Sequence, residues 1–124
     1  MRRVMIIEDN QDNRMLLRAV LDDSYAITEY TNGPEGLAAL ASDAPELLLL
    51  DISLPGMDGV EVLRRIRADP LLCHLPVIAF TAHAMSNDRE KYLAHGFDDY
   101  ITKPIVDETI LLGSIARLLD AVTA

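Results

Sequence analysis

The sequence predicts an α/β fold: a doubly wound parallel sheet with helices on both faces. Three observations carry this. Short apolar runs alternate five times with segments of helical period, and βα alternation implies parallel strands with helical crossovers. Leu47–Leu50 is an unbroken run of four leucines, as expected of a central strand buried on both faces; a half-exposed strand would alternate. The chain has 124 residues, the size of one domain, with no repeat, low-complexity stretch or linker. One domain over 1–124 is therefore expected, the final helix ending almost at the last residue.

The elements follow in order. Val4-Met5-Ile6-Ile7 is a short strand ending in Glu8-Asp9. Residues 11–22 read as a helix with a polar start that includes Asp12 and Asn13. Tyr25–Tyr30 alternates as a strand, with β-branched and aromatic residues. Asn32-Gly33-Pro34 is a turn, and Pro34 suits the first position of a helix running to about Ser42. Leu47–Leu50 ends in Asp51; a loop with Pro55-Gly56 and Asp58-Gly59 leads into a helix over about 59–68. Pro76–Phe80 is a strand ending in Thr81, and residues 85–94 form a polar helix stopping at Gly96. Tyr100-Ile101 is a short strand followed by Lys103-Pro104. The last helix spans about 107–121, with Leu111, Ile115, Leu118, Leu119 and Val122 on one face.

Composition excludes several classes. Eleven basic residues against twenty acidic ones give a net charge of −9, which repels phosphate backbones, so no nucleic-acid partner is expected. Cys73 is the only cysteine, so no internal disulfide or cysteine zinc cage can form. The opening MRRVMIIEDN has too short an apolar run for a signal peptide, and no run is long enough to enter a membrane. Cytoplasm is the expected compartment. Cys73, His74 and His95 read as ordinary loop or surface residues, and the five methionines as core filler.

In open α/β sheets, ligands bind outside the carboxyl ends of the strands. Those ends carry Glu8-Asp9, Asp51, Thr81 and Lys103. Three carboxylates drawn together repel one another, and a hard divalent cation relieves this; carboxylate, carbonyl and water ligands suit Mg2+. Lys103 offers a point charge to a phosphoryl group and Thr81 a hydroxyl donor. Such a site suits phosphoryl transfer, where catalysis is mostly positioning and charge neutralisation. A carboxylate can itself be the nucleophile, forming an aspartyl-phosphate, and Asp51 at the end of the most buried strand is the candidate.

Four stretches carry a resemblance: IIEDN at 6–10, LLLLDISLPGMDG at 47–59, VIAFTAHA at 77–84 and DYITKPI at 99–105. In this order and at these separations the chain resembles a response-regulator receiver domain of two-component signalling, of the stand-alone, single-domain type. The resemblance implies a flavodoxin-like receiver fold, with strand order 2-1-3-4-5 and five helices. It implies that Asp51 is the phosphoacceptor, and that Mg2+ is held by Glu8 (through water), Asp9, Asp51 and the main-chain carbonyl of Ser53. Thr81 matches the switch hydroxyl, Lys103 the phosphate-pairing lysine and Tyr100 the aromatic switch position. The Lys103–Pro104 bond is expected to be cis. Ser53 and His83 are expected to border the path of the hydrolytic water and to tune phosphoryl lifetime. Many receivers have two aspartates where this chain has Glu8-Asp9; the variant leaves metal binding intact and adds a methylene to the pocket.

The implied function is phosphorelay signalling. A histidine kinase or histidine phosphotransfer protein donates to Asp51, the phosphoryl group shifts a two-state equilibrium, and a downstream protein target reads the surface around the fourth helix, fifth strand and fifth helix. The chain catalyses only its own phosphorylation and dephosphorylation. Three alternatives stand beside this. A phosphohydrolase with an aspartyl nucleophile usually carries a second acid two residues on, where this chain has Ser53, and also a substrate cap. A degenerate binding module would lack the acceptor or the lysine. A receiver segment of a hybrid histidine kinase would carry the same motifs. In the first helix, Met15, Leu16, Leu17, Ala19, Val20 and Leu21 exceed one buried face. Either the core stripe is wide, or Leu16 with Asn13 flanks the acid pocket and meets a phosphodonor.

Overall fold

The computed structural model describes residues 2–82, 88–103 and 107–123, with the side chains of 88–89 and 121–123 left aside. Its strands are β1 (Arg2–Ile7), β2 (Tyr25–Tyr30), β3 (Leu47–Asp51), β4 (Val77–Thr81) and β5 (Asp99–Thr102). Its helices are α1 (Gln11–Leu21), α2 (Gly33–Asp43), α3 (Gly59–Ala68), α4 (Asp88–His95) and α5 (Glu108–Thr123). All strand pairs are parallel, in the order β2-β1-β3-β4-β5. That is the expected order, and the element boundaries agree closely, except that residues 85–87 of the helix expected over 85–94 lie outside the described residues. Pro34 is the second residue of α2, because Asn32 caps the helix and Gly33 opens it.

Period-two side-chain alternation splits the core into two layers. Met5, Ile7, Leu48, Leu50, Val77, Ala79 and Tyr100 face one side, packing with Leu40 of α2, Val62, Leu63 and Ile66 of α3 and Tyr92 of α4. Val4, Ile6, Leu47, Leu49, Ile78, Phe80 and Ile101 face the other, packing with Leu17 and Leu21 of α1 and Leu111, Ile115 and Leu119 of α5. All five residues of β3 are buried, as the leucine run predicts. Each fully buried leucine contributes about 1.5–3 kcal/mol of transfer free energy, so β3 fixes the sheet's centre.

The helix starts are set by side-chain caps. Asn10, Asn32 and Asp58 each accept the backbone N–H three residues on, satisfying an orphan donor at α1, α2 and α3. At the far end of α3, Arg67 donates to the carbonyls of Cys73, Leu75 and Gly96 and to Asp98 Oδ2, tying α3 to both neighbouring loops.

Two expectations are corrected here. The wide core stripe on α1 does not form: only Leu17 and Leu21 are fully buried, while Met15 is 60% and Leu16 39% exposed. Leu17 and Leu21, four residues apart on one helix face, enter the layer shared with α5, so Met15 and Leu16 project away from that face. For the same reason the methionines are not uniformly core filler. Met5 is buried and Met57 packs against the core, but Met15 lies on the surface. On α5, Leu111, Ile115 and Leu119 are buried and Leu118 partly so, as expected; Ser114 joins them on the buried face, donating to Asp99 Oδ2. Val122's side chain lies outside the described residues, as do Met1 and Met85.

Candidate functional site

Parallel register brings the strand ends to one edge. Ile7 pairs with Leu50, Asp51 with Phe80 and Thr81 with Thr102. Glu8 and Lys103 each lie one residue beyond their strands and Asp51 and Thr81 are the last residues of theirs, so sequence neighbours of the strand ends become spatial neighbours. Oxygen atoms of Glu8, Asp9 and Asp51 come within 4.8 Å of one another. Glu8 and Asp51 are 1% and 2% exposed, and Asp9 faces solvent.

Lys103 closes the cluster. Its Nζ is 2.6 Å from Glu8 Oε1 and 3.2 Å from Asp51 Oδ1. The same ammonium lies 5.0 Å from the centroid of the Phe80 ring, whose negative face favours a cation there. The Lys103 backbone N–H donates to the Thr81 carbonyl at 2.8 Å, which joins the lysine to the fully buried threonine through the backbone.

Glu8 is held at several points. Its N–H donates to the Tyr30 carbonyl at 3.0 Å, its Oε2 accepts from the Asn10 N–H at 3.1 Å, and its carbonyl accepts from Arg14 Nη1 at 2.8 Å. Asp51 Oδ1 accepts from the Ser53 N–H at 3.0 Å, which places residue 53 at the pocket edge with its side chain exposed. Gly59 lies directly beneath: a Cβ there would run into the Asp51 carbonyl oxygen and stand 2.8 Å from Ile52 Cα. Glycine at 59 therefore lets α3 approach the strand end that carries Asp51.

Two buried carboxylates share one ammonium, so the pocket is under-compensated. Burial pushes the Glu8 carboxyl up from 4.5 to about 7; Lys103 pulls it down and Asp51 pushes it up again. Glu8 Oε1 is buried without a well-directed hydrogen bond, although Lys103 supplies charge at 2.6 Å. An under-satisfied buried oxygen beside two further carboxylates is the donor set a hard, oxygen-seeking cation fits.

Tyr100 is only 9% exposed, and its ring stacks on Tyr92 of α4. His83 and Pro104, expected to tune lifetime and to form a cis bond, lie outside the described residues. His74 and His95 are exposed, as expected, and Cys73 is half-buried in its loop. Four residues of the site were not singled out by sequence. Asn10 shapes the loop after Glu8, and its place at the start of a helix was a readable capping signal. Arg14, Phe80 and Tyr92 act through contacts between elements, which sequence spacing does not encode.

A family model for the response regulator receiver domain matches residues 4–114. The polar-differentiation response regulator DivK of Brucella anthropi is 43% identical over 103 residues, covering 82% of this chain and 84% of that protein. Response regulator PleD of Caulobacter vibrioides is 38% identical over 117 residues, covering 94% of this chain but 26% of PleD. Among solved structures, the receiver domain of sensor histidine kinase PA1611 from Pseudomonas aeruginosa, with magnesium coordinated in its active-site cleft, superimposes with a TM-score of 0.86. It is 30% identical, with 96% of this chain and 98% of that one covered.

Proposed function

The chain belongs to the response regulator receiver domain family of two-component signalling, and from that premise we propose that it accepts a phosphoryl group on Asp51. The observation that carries this reading is the juxtaposition of Asp51 with Glu8 and Asp9 and with the Lys103 ammonium, at the carboxyl edge of the sheet.

The donor is a phosphohistidine on a histidine kinase or histidine phosphotransfer protein. Its phosphorus–nitrogen bond breaks as an Asp51 carboxylate oxygen bonds to phosphorus. The imidazole nitrogen keeps the electron pair of the broken bond, and a proton on the ring's other nitrogen makes the departing imidazole neutral. Glu8, Asp9, Asp51 and the Ser53 carbonyl would hold Mg2+, the metal seen in the P. aeruginosa neighbour. When bound, the metal supplies charge neutralisation for the phosphoryl oxygens. Lys103 exchanges part of its contact with Glu8 and Asp51 for a phosphoryl oxygen, and the Thr81 hydroxyl donates to another. Both residues lie on joined backbone, so their movement alters the β4–β5 edge and the α4–β5–α5 surface that a downstream protein target reads.

The surface position of Met15 and Leu16 on α1, with Asn13 beside them, supports contact between this face and the phosphodonor. In this reading the chain is a signalling protein that catalyses only its own phosphorylation and dephosphorylation, with Ser53 and His83 setting the lifetime. A receiver carried in a hybrid histidine kinase would work through the same residues, and the P. aeruginosa neighbour comes from a sensor kinase. The test is intact mass after incubation with acetyl phosphate and Mg2+. One phosphoryl group should add to the wild type and none to Asp51→Asn; an equal gain in the variant removes Asp51 as acceptor.

A further inference from the structure

Resting on the reading of Asp51 as phosphoacceptor, with Tyr100 at the position that the resemblance gives to an aromatic switch, we infer that Tyr92 is a positioning residue that holds the Tyr100 ring inside the core before any phosphoryl group arrives. The two rings stack with centroids 5.6 Å apart and planes 22° from parallel. Tyr92 is 5% exposed, so it is a buried wall rather than a loose surface ring.

That wall is anchored on several sides. Phe97 meets Tyr92 edge-on, centroids 6.1 Å apart at 90°, and its N–H donates to the Tyr92 carbonyl. Gly96, at φ +110°, makes the left-handed turn that folds Phe97 back under α4. Arg67 then fixes the turn by donating to the Gly96 carbonyl and to Asp98. On the other side, the Tyr100 N–H donates to Asp99 Oδ1, and Asp99 is itself held by Ser114 and Arg117 of α5. The backbone under Tyr100 is therefore pinned, which leaves rotation of the ring as the available motion. Swinging out would break the stack and leave a gap in the layer that contains Leu63, Ile66 and Tyr92.

An offset aromatic pair is worth about 0.5–1.5 kcal/mol beyond area burial, a roughly two- to tenfold bias in the rotamer ratio. Tyr92 thus sets the ring inward in the resting protein. Phosphorylation then leaves Tyr100 where it is, and the change at this face travels through the Thr81–Lys103 backbone. The inward swing expected of this position would then return only where the stack is removed, as in Tyr92→Leu.

The experiment uses the whole chain with labelled tyrosine rings. Side-chain χ1 couplings of Tyr100 are read by NMR in the metal-free protein and again with Mg2+ and beryllofluoride as a phosphoryl mimic. Wild type and Tyr92→Phe should show one buried rotamer in both states. Tyr92→Leu should raise the exposed share of Tyr100 two- to tenfold when metal-free and lose that excess with beryllofluoride. Ring-to-ring nuclear Overhauser contacts in the metal-free wild type test the stack even if Tyr92→Leu does not fold. A wild-type Tyr100 that averages or faces solvent when metal-free overturns the inference, as do absent ring contacts or a Tyr92→Leu ring as fixed as wild type. The metal-free arms need no phosphoryl group, so their failure is distinct from a failure of Asp51 to accept one.

Discussion

Gly59→Ala probes the support of the acceptor most sharply. The added Cβ would collide with the Asp51 carbonyl oxygen and approach Ile52 Cα at 2.8 Å. Both neighbours are backbone, so neither can rotate aside, and α3 must retreat from the strand end. Overpacking of this kind costs about 1–3 kcal/mol. With an unfolding entropy of roughly 2.1 cal/mol/K per residue, a chain this long loses about 4 °C of Tm per kcal/mol, so a fall of about 4–12 °C is expected. Gly113→Ala is the matched control. It sits in α5 with nothing within 4 Å of its Cβ, and Gly→Ala in a helix gains about 0.5–1 kcal/mol, so Tm should rise by about 2–4 °C. Thermal melts followed by circular dichroism read both. Gly59→Ala melting with the wild type, or shifting in the same direction as Gly113→Ala, would refute the packing argument.

Two further predictions concern the pocket. Glu8, raised to about 7 in the folded protein from 4.5, binds its proton more tightly folded than unfolded. Its contribution to metal-free stability is therefore complete below about pH 4.5 and is lost as pH rises to 7, by on the order of 1–3 kcal/mol. Magnesium bound as proposed would compensate the ionised carboxylate, so the Tm gain from millimolar Mg2+ should grow from pH 5.5 to pH 8 and vanish in Asp9→Ala; a gain flat with pH would contradict this. Lys103→Arg should still accept phosphate but signal poorly, because a planar fork cannot reproduce an ammonium lying 2.6 Å from Glu8 and 3.2 Å from Asp51. Identical amide-shift changes around β5 in the phosphorylated variant and wild type would refute that.

The fold was legible because its signals are local. Four leucines in a row mark a strand buried on both sides, and alternating periods mark the crossovers. The pocket was legible because parallel strands place their carboxyl ends on one edge, so Glu8, Asp51, Thr81 and Lys103 could be grouped without knowing a distance. What sequence could not show depends on which elements touch. Arg67 reads as one more helix arginine, yet its donors reach three loop carbonyls and an aspartate. Met15 and Leu16 left two readings open, a wide core stripe or an exposed face, because which face of α1 is buried depends on its packing with α5 and the sheet. Tyr92 and Tyr100 lie eight residues apart on different elements, and only the turn at Gly96 brings their rings face to face.

The central claim is that Asp51 carries the phosphoryl group, and reductive trapping reads the position directly. Borohydride converts an aspartyl-phosphate to homoserine, which peptide mass mapping locates to a residue. After phosphorylation with acetyl phosphate and Mg2+, the conversion should fall at residue 51 and require magnesium. Conversion at Glu8, Asp9 or any other carboxylate in the wild type, or none at all in phosphorylated protein, would contradict the account.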